Sequence, residues 1–332
     1  MGRFRWLAGL LLFLLLLNRP QAAVDGAQRA MAQWAHSVAP SLFPFMALMP
    51  LLTGEDAARA YQALFGRVMR GLFNLPGSAA PAFVMGMVAG SPAGAVAARR
   101  VAAGGGMNRG ELRRVACCAC GMSPAFMISG IGAGMLGDAG LGHILLRSQI
   151  VAQLLTALLL RGAWREDRAP VPPETATGEN APVRAAVLAI LTVCGYMTFF
   201  GALAGVTREI AGRRAGDGLV CILDVPAGAL VIAGLGLGMG EKMILLSILT
   251  GFGGVCIGLQ NLAALRGCCV TAGEYFSIRG IAVLLSGLMT ALQLRIVPSE
   301  VVKFSAKPFE IAALCGVILA IPVLKQMKKS IS

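Results

Sequence analysis

The sequence predicts an all-α polytopic membrane protein made of two inverted repeats that contain re-entrant hairpins and broken helices. Three observations carry that expectation. Of 332 residues, 57% are hydrophobic and 14% charged, with a mean hydropathy of +0.74, too apolar for a soluble domain of ordinary composition. Several apolar segments are interrupted at mid-length by Gly, Ser and Pro. A charged, proline-containing stretch divides the chain into two apolar halves of comparable length.

Composition narrows the function as well. The 43 glycines and the 6% aromatic content suit closely packed membrane helices, where small residues let backbones approach. The formal charge of +13 comes from arginines that flank apolar segments, without a basic face interleaved with aromatics. Positive-inside topology and anionic lipid account for it better than nucleic acid, which is not an expected partner. Cys117, Cys118 and Cys120 form a close group among nine cysteines that also include Cys268 and Cys269, but the chain has only two histidines and no second CxxC to complete four ligands. They read as small buried hydrophobes rather than metal ligands. The chain shows no G-x-S-x-G elbow, P-loop, HExxH or paired carboxylates on one helix face, so neither an enzyme nor an ATP-driven pump is expected, and no cofactor.

Residues 6–17 are a continuous apolar run behind Arg3 and Arg5. The run resembles a signal peptide, but residues 18–23 make a poor cleavage site, so an uncleaved first span is expected. Residues 27–38 carry apolar and polar groups at helical spacing, which suggests an interfacial helix and closes an N-terminal region at 1–39. A first repeat then covers 40–161. It begins with an apolar segment kinked by Pro44. In the amphipathic stretch 53–75 that follows, Arg59, Arg67 and Arg70 alternate with Leu64, Phe65, Val68 and Leu72, as suits a helix in the membrane interface. Residues 81–100 are apolar but broken at Gly90-Ser91-Pro92, residues 115–136 are broken at Ser123-Pro124, and 141–160 are continuous.

Residues 162–184, charged and carrying Pro170, Pro172, Pro173 and Pro182, are the linker. The second repeat, 185–326, offers spans at 185–206 and at 219–239, the latter containing Asp224 and Pro226. A stretch at 243–265 interrupted at Gly253-Gly254 reads as the second broken hairpin, and spans at 278–294 and 309–324 follow. A basic tail, 327–332, closes the chain. The shared order of elements in the two halves is the pattern of internal structural repeats. Arg3, Arg5 and the arginines between 99 and 114 face the cytoplasm by the positive-inside rule. An inverted second repeat places Lys325, Lys328 and Lys329 outside, against that rule, so the C-terminal orientation stays open.

Residues Ser41-Leu-Phe-Pro44-Phe, 69–77, the Gly90-Ser91-Pro92 break, Ser123-Pro124 and 253–260 together resemble the sporulation integral membrane proteins of the nucleoside-recognition (gate) domain superfamily, distantly related to concentrative nucleoside transporters. The similarity covers roughly residues 40–324. It implies two inverted repeats, each with a re-entrant hairpin and a broken helix. Its sporulation branch implies a bacterial cell-membrane location, the outer forespore membrane, and movement of dipicolinic acid during spore formation.

The candidate substrate-binding residues are Gly90, Ser91, Pro92, Ser123, Pro124, Gln149, Gly253, Gly254, Gln260 and Arg279. Amides freed at the helix breaks, with the positive ends of helix dipoles, suit the carboxylates of a small anion, and Ser91 and Ser123 add hydroxyl donors. Gln149, Gln153 and Thr156 share a helical face. Gln260 can read a carboxylate or a ring nitrogen, and Arg279 falls where the resemblance implies a basic residue. Each has a plain alternative: the breaks as kinks, Gln260 as an interhelical bond, Arg279 and Arg147 as snorkelling side chains. Asp224, Glu241 and Glu274 are candidates for ion coupling or simply interfacial groups, and His36 and His143 receive no role. The expected partners are a small anionic substrate, a coupling ion (proton or sodium), the lipid bilayer and further copies of the chain in a homo-oligomer. The expected function is transport of a small organic anion by alternating access; a nucleoside carrier and a non-transporting sporulation scaffold are the alternatives.

Overall fold

The apolar residues come in helix-length runs, and helices are the form in which such runs satisfy their own backbone hydrogen bonds away from water. A computed structural model describes residues 2–172, 182–268 and 270–296. The span expected at 309–324, the basic tail 327–332 and the middle of the linker lie outside the described residues. Among those described there is no strand, only an isolated bridge between Asn108 and Pro170. Five helical stretches are long and apolar enough to cross a membrane: Pro20–Thr53, Ala139–Gly162, Val183–Ile210, Met239–Ala264 and Ala272–Arg295. The chain is an all-α polytopic membrane protein.

In chain order, α1 (Gly2–Asn18) and α2 (Pro20–Gln33) lead through a π-helical turn at Trp34–Val38 into α3 (Ala39–Thr53). Amphipathic α4 (Glu55–Val68) follows, and the helical stretch Asp56–Phe73 meets Gly77–Val88 at 94°. Helices α5 (Ala80–Val88) and α6 (Ala93–Ala103) form a hairpin, and α7 (Arg109–Cys118) is followed by a π-helical stretch, Phe126–Met135. Long α8 (Ala139–Leu159) ends the first half. The second half contains α9 (Pro182–Ile210), α10 (Gly212–Leu223), α11 (Val225–Ala233), α12 (Met239–Phe252), α13 (Gly254–Ala264) and α14 (Ala272–Ile296).

Two findings differ from the sequence expectation. Residues 27–38, expected in the interface, lie within a 34-residue helical stretch, Pro20–Thr53, which also runs through the boundary expected at residue 40. This helical stretch packs against α9. A β-carbon on Gly26 would overlap the Gly201 carbonyl of α9, so these helices touch backbone to backbone, and Trp34 Nε1 donates to Ile190 O at 3.1 Å. The second difference concerns the hairpin of the second half. It is α10–α11, where Gly228 packs on the Cys221 backbone, whereas 239–264 is one interrupted span. Asp224 explains the turn: its carboxylate caps α11 by accepting from Ala227 N at 3.1 Å, and Pro226 sits in the first turn, both start signals for a helix.

The two halves therefore repeat one order: hairpin (α5–α6, α10–α11), interrupted helix (α7 to Met135, α12–α13) and long helix (α8, α14). The long helices and α12 are fastened by hydroxyls and an amide at membrane depth. Thr290 Oγ1 lies 2.8 Å from both Ser148 Oγ and Ser247 Oγ, and Gln293 Nε2 donates to Ser148 Oγ at 2.7 Å. Outward-facing leucines such as Leu284 and Leu288 are left to lipid.

Candidate functional site: a cavity where four helix breaks meet

Each break follows from local sequence. Helix α5 ends at Val88 with Ala89 as its cap, and Gly90 takes φ +80°, a left-handed conformation open to glycine without a steric cost. The cis Ser91-Pro92 bond then leads into α6. The hairpin closes tightly because Gly86 and Gly94 face each other across the Ala119 carbonyl, which a β-carbon on either would overlap. Helix α7 begins with a reciprocal cap between Asn108 and Glu111 and ends at Cys118. Ala119 N still closes the last turn on Val115 O at 2.8 Å, but residues 120–123 are not helical, and backbone groups there find partners elsewhere. Ser91 N donates to Gly121 O at 2.8 Å. The Gln149 side chain makes a paired contact with Met122, accepting from its N and donating to its O, both at 2.9 Å.

The third break is Asp224, described above. The fourth is Gly253-Gly254, with φ of +84° and +66°, between α12 and α13.

One residue joins the second break to the fourth. Arg279, 2% exposed, donates from Nη1 to Cys120 O at 2.7 Å, from Nε to Phe252 O at 3.1 Å and from Nη2 to Thr250 O at 3.3 Å. A cation among the carbonyl ends of two helices is favoured by hydrogen bonding and by the helix dipoles. Asn261 links the fourth break to the first: its Nδ2 contacts Tyr275 Oη at 2.7 Å and Ser91 Oγ at 3.2 Å.

Residues at or next to the breaks line a cavity of about 470 Å³, within the range of small-molecule sites. Ser91 lines it from the first break, Gly121, Met122 and Ser123 from the second, Asp224 and Pro226 from the third, and Cys256 and Gln260 of α13 from the fourth. The π-helical turn contributes His36 and Ser37, and α9 contributes Val193 and Met197. π-turns of this kind are frequent at functional sites. Among the described lining residues there is no lysine or arginine, and Asp224 is the acidic one.

Of the residues singled out from sequence, Ser91, Ser123 and Gln260 line the cavity. Gly90, Pro92, Pro124, Gly253 and Gly254 shape the breaks behind it, while Gln149 and Arg279 brace the unwound backbone. Gln260 Nε2 lies 3.3 Å from Cys256 Sγ. Gln153 is 3% exposed beside Gly121. Arg147 is exposed, and Glu241 and Glu274 cap helices, accepting from Gly238 N at 3.0 Å and Thr271 N at 2.9 Å. Sequence reasoning passed over Asn261, Tyr275 and Ser37 of the π-turn. Asn261 carried a signal, an amide one position from Gln260 in an apolar helix; the π-turn carried none.

One curated protein similar to this chain is the sporulation integral membrane protein YlbJ of Bacillus subtilis (strain 168), 30% identical over 152 residues. The match covers 46% of this chain and 37% of the length of YlbJ. No protein-family model matches the chain, and no solved structure matches it.

Proposed function

We propose that the chain is a membrane carrier whose solute occupies the cavity between the four breaks and crosses by alternating access, without chemical change to the solute. The observation that carries this reading is the convergence: breaks from both halves, up to 170 residues apart in sequence at Ser91 and Asn261, surround a single cavity. Irregular backbone at membrane depth is tolerated where it lines such a space, and paired breaks in two halves are the arrangement of carrier binding sites. The solute is a small organic anion. The first turns of α13 and of the helical stretch after Ser123 reach the cavity wall, and helix N-termini favour negative charge. The relative's description as a sporulation integral membrane protein supports a role in sporulation, and within that role we take dipicolinic acid as the anion and the outer forespore membrane as the location.

A second reading, a nucleoside carrier, is favoured by the cavity's hydroxyls, its Gln260 amide and the lack of lysine or arginine among its described lining residues. Uptake into proteoliposomes separates the two. Labelled dipicolinate is expected to enter protein-containing vesicles faster than empty ones, and several-fold more slowly after Gln260→Ala. Uptake of uridine but not dipicolinate favours the nucleoside reading. If neither solute enters under any ion gradient, the chain is no carrier of these solutes and a non-transporting membrane scaffold is the better reading.

A further inference from the structure

Building on the carrier reading above, we propose that Asp224 is a proton-binding site of the cavity and that the anionic solute travels together with a proton. Asp224 is 6% exposed, yet its residue forms part of the cavity wall. One carboxylate oxygen is fixed by Ala227 N at 3.1 Å, so the group cannot swing away to the membrane surface without uncapping α11. An ionised carboxylate and an anionic solute in one confined space repel each other, and low polarity strengthens the repulsion.

Among the described lining residues no lysine or arginine stands beside that charge. Arg279 has Nε, Nη1 and Nη2 committed to the carbonyls of Phe252, Cys120 and Thr250. Among the described side chains, the elements packed on α11 offer no basic partner to its first turn; Arg213 and Arg214 belong to the start of α10, whereas Asp224 follows its end. Helix α10 brings Cys221, behind Gly228, and Asp217, paired with Arg208 at 2.8 Å. Helix α13 brings Cys256. On α12, Lys242 donates to Ala233 O at the opposite end of α11, and Glu241 accepts from Gly238 N. The stretch Phe126–Met135 contributes no titratable side chain. His36 also lines the cavity.

A proton on the Asp224 carboxyl removes the repulsion and converts an acceptor into a donor, so the wall then offers the anion an O–H beside the hydroxyls of Ser91 and Ser123 and the Gln260 amide. The proton joins a carboxylate oxygen from the acidic side and leaves with the anion on the other. No bond within the solute changes.

The test uses the full chain with dipicolinate as probe. Dipicolinate affinity of the wild type is expected to fall with rising pH, approaching about tenfold per unit above the midpoint, because the competent form carries the extra proton. An acidic outer compartment should drive accumulation into vesicles, and trapped pyranine should report proton entry when dipicolinate is added. Asp224→Asn keeps an acceptor for the α11 cap, and is expected to flatten the pH profile and abolish gradient-driven accumulation. The pyranine signal, read on the wild type, decides the matter even if that variant does not fold. Dipicolinate uptake without proton entry overturns the proton site and leaves the carrier reading standing, as does a profile flattened by His36→Gln instead of Asp224→Asn. Absence of any uptake overturns both, and transport of uridine alone overturns the anion and its proton while keeping the carrier.

Discussion

Arg279 concentrates the logic of the protein in one side chain. Its fork takes up carbonyls that the second and fourth breaks leave without helical partners, at a depth where no water replaces them. Each unpaired buried group costs about 1–3 kcal/mol, so Arg279→Ala is expected to lose on the order of 3 kcal/mol or more, read as a lower melting temperature in detergent. Arg279→Lys should recover part of this, since an ammonium cannot reproduce the planar fork. Melting temperatures equal to wild type for both variants would show that these bonds do not hold the breaks together. In the sequence Arg279 stood near the start of an apolar helix, where a snorkelling cation and a functional one look alike. Its partner Cys120 lies 159 residues away, and periodicity reveals which face a residue occupies, not what meets that face. Asp224 was ambiguous for the same reason: a single acid in an apolar run reads as interfacial until the turn around it is seen.

Among elements, the first hairpin depends on two glycines and the second on an acid followed by a proline. Gly86 and Gly94 leave room for the Ala119 carbonyl between α5 and α6. Alanine at either position is expected to cost about 1–3 kcal/mol through forced separation of packed backbone. Gly280→Ala, on α14 with nothing nearby, is instead expected to be neutral or to stabilise by up to about 1 kcal/mol. Thermal melts of the three variants check this, and equal behaviour of Gly86→Ala and Gly280→Ala would contradict the close approach. The breaks at Gly90-Ser91-Pro92, Ser123-Pro124 and Gly253-Gly254 were legible because Gly and Pro state their backbone preferences locally. The hairpin of the second half was less so. Residues 219–239 are apolar enough to read as one span, and the turn there rests on a cap and a proline that also occur in straight helices. The helix at 27–38 was assigned to the interface because amphipathic spacing is the same whether its polar face meets headgroups or its small residues meet another helix.

At the scale of the whole molecule, helix breaks contributed by both halves meet around one cavity, tied by Arg279, Asn261 and the Ser91 N bond to Gly121 O. In the proposed carrier, two halves that repeat one order of elements would rock against each other while the site stays between them. The central claim, that this cavity holds a small polar solute, is tested most directly by ligand-dependent melting of the purified full chain with dipicolinate, uridine and simple dicarboxylates. A ligand bound only by the folded state adds about 2.7 kcal/mol at a hundredfold excess over Kd. The expected result is a saturable rise in melting temperature with dipicolinate that Gln260→Ala weakens. No shift with any of these solutes at millimolar concentration would contradict it.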